Sequence, residues 1–432
     1  MDWSFLIKGK DSLNVTTDSR KITPTRPTIF VALKGEHFDG NDYVTQALEQ
    51  GAAWVLMDNK SVYDRLPAEY RARVIFSPAP GDEGRGERSG SLALLQSLAR
   101  AWRESLDIPV IGITGTNGKT TTKELCAAVL STKYNLLYTQ GNYNNSLGVP
   151  LTLLSITRAH ELAIIEMGAS HPGDIKELVE IAEPTHGLIT NVGKAHLQGF
   201  GSFEGVQATK RELYDWLVAH NGTVFRNEDN PYLKKMLEEA QSSAANCQLS
   251  IVNYHTGTMP EGTHLVGGYN AENISAAIRV GMEFGISREK ALAAIRAYIP
   301  SNNRSQLLQT EHNIVVVDAY NANPTSMQAA INAFANNQSP ATYPQCYILG
   351  AMRELGEYSR LEHQNIVNML LERKADRVLL VGEEYKATTA PYPILNNVDD
   401  LCAYLQAEPL SGYTILLKGS RSNQLEKVIP FL

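Results

Sequence analysis

Cysteine is scarce in this chain: four residues in 432, Cys126, Cys247, Cys346 and Cys402. None forms a CxxC pair, so the sequence offers neither a disulfide framework nor a zinc site. No apolar run approaches the ~18 residues that cross a bilayer, and no transmembrane helix is expected. The first residues, MDWSFLIKGKDS, lack a charged start followed by a long apolar stretch, so no signal peptide is expected. Basic excess is missing too: 39 Lys and Arg against 46 Asp and Glu give a net charge of −7. That balance argues against nucleic acid or an anionic membrane as the main partner. There is no internal repeat of roughly 20–50 residues and no low-complexity tract. What remains is 43% hydrophobic and 20% charged, the profile of a globular cytosolic enzyme. At about 150 residues per domain, the length suggests three domains.

The most informative stretch is 111–122, Ile-Gly-Ile-Thr-Gly-Thr-Asn-Gly-Lys-Thr-Thr-Thr. Residues 110–113 read as a short buried strand. A glycine-rich turn follows, then Lys119, then hydroxyl residues that open a helix. That order builds a phosphate cradle, in which backbone N–H groups and a helix N-terminus face anionic oxygens and the lysine adds a point charge. The common G-x-x-x-x-G-K-[ST] form is not met, because Ile113 stands five before Gly118. Here T-G-T-N-G-K-T has Gly115 and Gly118 framing the turn. The plain alternative is an ordinary βα turn with an unconnected lysine; the strand before and helix after favour nucleotide phosphate. The candidate nucleotide-binding residues are Gly115, Thr116, Asn117, Gly118, Lys119, Thr120 and Thr121.

Three parts are expected, 1–85, 86–300 and 301–432. The first alternates strand-like pieces (28–33, 54–57, 73–76) with a helical stretch at 43–50. The segment PAPGDEGRGERSG, 78–90, reads as a linker or exposed loop. The chain is helical from Leu92 up to the phosphate-loop strand. The middle part repeats strand then helix: 162–167 with 174–181, and 187–191 with a helix through 209–217. A later series reads IVVVD (314–318), CYILG (346–350), RVLLVG (377–382) and TILLKG (414–419). These apolar runs suit strands buried on both faces. Alternating βα units imply an α/β fold with largely parallel sheets.

Glu166 closes the apolar run LAIIEMG, at the carboxyl end of a strand, where ligands gather in open α/β sheets. A carboxylate beside a phosphate loop can hold the Mg²⁺ of a triphosphate; a capping or solvated glutamate is the alternative. His196 sits in the Gly-rich loop TNVGKAHLQGFGS after another strand, where a functional role competes with a structural one.

At this point the residues resemble the Mur ligases of peptidoglycan synthesis, over nearly the whole chain. TGTNGKTTTKE (114–124), GNYNNSLGVPLTLL (141–154), EMGASHPGDIKEL (166–178), ITNVGKAHLQGFGS (189–202) and ATKREL (208–213) follow the family order. TDSRKITPTRPTIFVALKGEHFDGNDYV (17–44) is similar to the family's uridine-nucleotide domain. VVDAYNANPTSM (316–327) and LLKGSRSNQLEKV (416–428) resemble the member that adds D-Ala-D-Ala to a UDP-linked tripeptide. The D-N-P-R-type motif of the member adding the third amino acid is not found.

The resemblance implies three domains: a small N-terminal α/β uridine-nucleotide domain, a central P-loop ATPase-like parallel sheet and a C-terminal Rossmann-like domain. It implies that ATP phosphorylates the carboxylate of UDP-N-acetylmuramoyl-tripeptide. The amine of D-Ala-D-Ala then attacks the acyl phosphate, and phosphate leaves. Such chemistry asks the protein mainly for positioning and charge neutralisation.

By the same resemblance Lys119, His196 and Lys210 are catalytic. Thr120 and Glu166 hold one Mg²⁺, and His196 and Lys210 belong to a second, where Lys210 is a carbamate. Asn273 contacts the base, Arg304 reaches ATP and Asp318 binds the ribose. Tyr269 stands where the family usually has histidine, and Ala351 where it often has aspartate, so LGAMRELGEYS (349–359) is given a packing role only. Tyr320, Asn321 and Asn323 shape the dipeptide pocket, and Lys418, Ser420 and Arg421 lie near ATP or substrate. Asn142 and Asn144 are substrate candidates, as are Ser19 and Arg20, with Lys34 and Gly35 near them.

A folate-polyglutamate-type amide ligase would share the central domain but lacks the DSR…FVALKG segment. A P-loop switch protein without chemistry would not need Glu166, His196 and Lys210 together. The expected partners are the two small-molecule substrates, with no nucleic acid and no membrane embedding. A cytoplasmic monomer is expected, although the residues leave the oligomeric state open. They also leave open whether the third peptide residue is lysine or diaminopimelate.

Overall fold

The computed structural model describes residues 1–78, 90–243, 248–300, 304–336 and 343–432. The expected linker 78–90 thus falls, at 79–89, outside the described residues, as does Cys247.

Three sheets carry the fold. The first has strands β1 (Val15–Thr16), β2 (Ile29–Val31), β3 (Trp54–Met57) and β4 (Val74–Phe76), in that order and all parallel. The second uses β5 (Val110–Thr114), β6 (Leu136–Tyr138), β7 (Leu162–Glu166), β8 (His186–Ile189), β9 (Thr223–Asn227) and β10 (Ser250–Tyr254). Its order is β10-β9-β8-β5-β7-β6. β6 and β7 lie on one side of β5, with β7 next to it, and β8, β9 and β10 follow outward on the other. The loop after β5 therefore leaves from the point where strand order reverses, the place at which open α/β sheets bind ligands.

The third sheet uses β11 (Gln306–Gln309), β12 (Ile314–Asp318), β13 (Gln345–Gly350), β14 (Arg377–Val381), β15 (Ile394–Leu395) and β16 (Thr414–Lys418). Its order is β11-β12-β16-β13-β14-β15, parallel except for β11, which pairs antiparallel with β12.

The strands read as continuous apolar runs are the ones buried on both sides. Every residue of β5, β7 and β16 is buried. In the third sheet the two-residue alternation of side chains divides the core cleanly. Val316, Tyr347, Leu349 and Leu416 enter one apolar cluster, while Val315, Val317, Ile348, Ile415 and Leu417 enter the other. The strands not anticipated lack that signal. β10 alternates exposed and buried at the sheet edge, β11 is polar at both ends, and β1, β6 and β15 are very short. The interior strand β9 carries Arg226 and Asn227 among its apolar residues, which breaks the run. The helix that carries Asn273 runs from Asn270 to Glu283.

Contacts divide the chain into two compact units, residues 1–113, 134–168 and 174–187, and residues 114–133, 169–173 and 188–432. In the first, Phe30, Val55, Met57, Val44 and Leu48 build the core over the small sheet. Arg103 is buried there too, its guanidinium spent on the carbonyls of Ala182, Leu106 and Glu183. Burial lowers its pKa, and this threefold carbonyl cage is what keeps a cation tolerable in the interior. In the second unit Lys418, 1% exposed, is tolerated for a related reason: β12 and β16 pair Asp318 with Lys418 in register, and the two side chains meet at 2.7 Å.

Candidate active site

The turn after β5 is held by the loop after β8. Thr116 N–H donates to the Asn191 carbonyl (2.9 Å) and Asn117 N–H to Asn191 Oδ1 (3.0 Å). The Asn117 carbonyl accepts Thr190 Oγ1 (2.6 Å) and Asn191 Nδ2 (3.1 Å). Gly193 N–H donates to Thr116 Oγ1 at 3.0 Å. Both framing glycines are required. Gly115 has φ +142 and a Cβ there would come within 2.0 Å of Thr190 Oγ1. Gly118, φ +79, is the cap residue of helix Lys119–Leu130 and provides no side-chain cap. Lys119 Nζ lies back over the loop, donating to the carbonyls of Gly115 (2.8 Å) and Thr116 (3.1 Å). Thr120 and Thr121 are buried in the first helical turn. A rigid, positively charged turn at a helix start is the arrangement that receives phosphate.

Asn273 is seated against this turn. Its Oδ1 accepts Thr122 Oγ1 at 3.1 Å, its Nδ2 donates to Asn270 Oδ1 at 2.9 Å, and a Cβ on Gly118 would meet its Oδ1 at 2.4 Å. Tyr269, in place of the family's histidine, shares a hydrogen bond with Ser305 Oγ (2.8 Å), and burial pushes its pKa up.

His196 lies on the same β8 loop, in left-handed backbone with φ 50. Its Nδ1 meets the carboxylate of Glu354, which is itself in left-handed backbone with φ 59. Non-glycine residues in that region are strained and recur at functional sites. Burial lowers the His196 pKa, Glu354 raises it, and the charges of Lys119 and Lys210 lower it again, so this ring feels both lysines. Lys210, on helix Phe203–Ala219, is 2% exposed, with Nζ 5.6 Å from the Phe200 ring centre. Two further contacts hold the loop: Lys194 Nζ pairs with the buried Glu362 (3.0 Å), and Lys194 N–H donates to Thr325 Oγ1 (3.1 Å).

Sequence reasoning missed Glu354, Glu362 and Thr325, and it gave the segment around Glu354 a packing role only. Packing does describe its start. Ala351 is fully buried, and Met352 N–H donates to Nε2 of the fully buried His363 at 3.0 Å. Its sixth residue, Glu354, instead faces His196. No signal in a single sequence pairs Glu354 with a histidine so far upstream.

Among the described residues no three His, Cys, Asp or Glu side chains converge as a metal site. The expected magnesium donors are of another kind: a threonine hydroxyl, one carboxylate, an imidazole and a modified lysine. Magnesium commonly takes one or two carboxylates, substrate phosphates and water; Thr120 and Glu166, each buried in its own unit, carry oxygen donors of that class.

In the third sheet the expected ATP and dipeptide residues are engaged with one another. Asp318 is paired with Lys418, which also donates to the Asn321 carbonyl (3.1 Å). The Arg304 guanidinium stacks 3.8 Å over the Tyr320 ring, and Arg421 approaches the same ring at 5.9 Å. Ser420 is buried, its single O–H shared between the Ala351 carbonyl and Asn423 Oδ1. Asn323 caps helix Pro324–Ala335 and faces Asn117 of the phosphate turn.

The remaining candidates belong to the first unit. Glu166 is 1% exposed; its Oε1 accepts Asn144 Nδ2 (2.8 Å), so Asn144 orients the carboxylate. Asn142 is exposed beside it in the chain. Ser19 is buried in a short turn. Arg20 is exposed and forms a bidentate pair with Asp18 (2.8 and 3.0 Å). The backbones of Lys34 and Asp39 form an isolated antiparallel β-bridge, and Gly35 N–H donates to the Phe38 carbonyl.

Family models match along most of the chain: the Mur ligase family catalytic domain at 13–80, the Mur ligase middle domain at 113–251, and the Mur ligase glutamate ligase domain at 303–421. The chain is 33% identical to the UDP-N-acetylmuramoyl-tripeptide–D-alanyl-D-alanine ligase of Bacillus subtilis, over 96% of this chain and 92% of that one. It is 32% identical to the enzyme of the same name from Escherichia coli, with the same coverage. Among solved structures it resembles the MurF ligase of Thermotoga maritima in complex with ADP, with TM-score 0.81, 25% identity and 98% of both chains covered. It also resembles MurF of Acinetobacter baumannii, with TM-score 0.80, 26% identity and 96% of this chain and 92% of that one covered. With family models for all three sheets and relatives above 30% identity along nearly its full length, the chain belongs to the Mur ligase family.

Proposed function

We propose that this protein is an ATP-dependent amide ligase that joins D-Ala-D-Ala to UDP-N-acetylmuramoyl-tripeptide, releasing ADP and phosphate, in peptidoglycan precursor synthesis. The observation that carries this reading is the phosphate turn 114–119, pinned by the β8 loop that bears His196. The match to D-Ala-D-Ala-adding relatives over nearly the whole chain supports the substrate pair. In the reaction a carboxylate oxygen of the tripeptide attacks the γ-phosphorus of ATP and ADP departs. The dipeptide amine then adds to the acyl carbon, and the C–O bond to phosphate breaks as the amide forms.

The protein's part is to hold charge in place. Lys119, whose Nζ rests on the carbonyls of Gly115 and Thr116, is proposed to meet phosphate oxygens. Mg²⁺, when bound, would neutralise the charge of the transferring phosphate; Thr120 and Glu166 are its proposed donors, with His196 and Lys210 for a second ion. A carbamate on Lys210 would replace a cation with an anionic oxygen ligand, as a hard metal requires. Asn273, Arg304 and Asp318 are proposed to face the nucleotide, and Ser19 and Arg20 the uridine diphosphate. We place the domain boundaries at 1–85, 86–300 and 301–432. We assign the reaction to the cytoplasm, where its nucleotide substrates are made; among the described residues no helix is long and apolar enough to cross a membrane.

Incubation with ATP, Mg²⁺, the UDP-tripeptide and D-Ala-D-Ala, with phosphate release followed, tests the proposal. Phosphate should appear only with both acceptors present, one per amide bond. Strong turnover with free L-amino acids and none with the dipeptide would overturn it.

A further inference from the structure

We infer that Asn323 is a positioning residue for the phosphate turn, acting through Asn117; this rests on the nucleotide-binding reading above. Its motif was expected to shape the dipeptide pocket; in the structure its side chain faces Asn117 of the phosphate turn. Asn323 Nδ2 donates to Asn117 Oδ1 at 2.8 Å, and Asn117 Nδ2 lies 3.5 Å from Asn323 Oδ1. The backbone of Asn117 is already fixed by Thr190 and Asn191. Asn323 orients the one part of that residue left to rotate, its amide.

Asn323 can do this because it is itself rigid. It is 4% exposed and completes a capping box: Oδ1 accepts Ser326 N–H (2.9 Å) while its own N–H donates to Ser326 Oγ (3.1 Å). The start of the helix thus selects the rotamer that points Nδ2 at Asn117. Thr325, in the same helical turn, grips the neighbouring loop. Its Oγ1 accepts Lys194 N–H (3.1 Å), and a Cβ on Gly193 would come within 2.8 Å of it. Gly193 in turn donates to Thr116. One turn of one helix therefore touches both segments that set the shape of the phosphate turn. A helix of the third sheet thereby shapes the phosphate turn, and preorganised loop amides are what such a site needs.

The test uses the full chain and fluorescent N-methylanthraniloyl-ADP as probe. Asn323→Ser keeps a good cap but cannot reach Asn117. Its Kd for the probe should rise about five- to tenfold, the loss of one buried hydrogen bond. The KM for ATP should rise with it, while the KM for D-Ala-D-Ala stays unchanged. The double variant Asn117→Ala/Asn323→Ser should bind no more weakly than Asn117→Ala alone, because both changes remove the same contact. An unchanged probe Kd with a raised dipeptide KM would return Asn323 to the dipeptide pocket and overturn the inference; so would additive losses in the double variant. If Asn323→Ser does not fold, Asn117→Ala and Asn117→Asp read the pair from the other side. Each should weaken the probe and leave the dipeptide KM alone, and normal probe affinity in both overturns the inference. Failure of wild-type protein to bind the probe at all would instead defeat the nucleotide reading on which it rests.

Discussion

Gly118→Ala should disable nucleotide binding through two separable effects. Gly118 has φ +79, and an L side chain in that region costs about 1–2 kcal/mol. The new Cβ would also lie 2.4 Å from Asn273 Oδ1, a contact that real Cβ atoms do not make. Asn273 must then move, and its Oδ1 holds Thr122 Oγ1 in a buried hydrogen bond. Leaving such a group unsatisfied costs about 1–3 kcal/mol. The sum is ~2–5 kcal/mol if the turn must keep its shape to bind, which corresponds to about a 30-fold loss of affinity or more. The control is Gly412→Ala, at φ +74 with nothing within 4 Å of a Cβ and outside the phosphate turn, which isolates the backbone cost to folding stability. Titration with fluorescent ADP, alongside urea unfolding of both variants, separates loss of affinity from loss of fold. If Gly118→Ala binds within about threefold of Gly412→Ala and is equally stable, neither the strain at Gly118 nor the crowding against Asn273 acts on nucleotide binding.

Lys119→Ala should fold normally yet lose about 10²–10³ in turnover, the usual cost of removing one preorganised electrostatic contact; near-normal kcat would refute the phosphate-turn assignment. Lys210→Arg should be inactive, because a guanidinium cannot become an anionic ligand; wild-type turnover would reduce Lys210 to a structural cation. Stability should fall as pH drops below about 6.5, where unfolded histidine titrates. Burial lowers the pKa of His363, whose Nε2 accepts Met352 N–H, and pushes His186 down to about 4. The unfolded chain therefore binds more protons over that range, by up to about 1.4 kcal/mol per pH unit for each fully buried histidine, less for the partly exposed His186. Urea midpoints at pH 7.5 and 5.0 should differ in that direction, the difference shrinking in His363→Asn; a midpoint that rises on acidification would contradict the sign.

Much of this protein was legible in the residues alone. Runs such as LAIIE and TILLK announce strands buried on both faces, because such strands must be apolar at every position. The T-G-T-N-G-K-T turn announces itself because the positive-φ backbone at 115 and 118 strongly favours glycine. Motif order was enough to find the family. Edge strands stayed hidden because half their residues face water: β10 and β11 lack the continuous run. What tertiary structure alone decided is which side chains meet. Glu354 against His196, Lys418 beneath Asp318, Arg304 on Tyr320 and Asn323 against Asn117 join residues far apart in the chain. Their pairing depends on strand order and on where each helix starts. Local propensity sets the elements, but the register of β12 with β16 and the rotamer chosen by a helix cap exist only once the sheets have assembled.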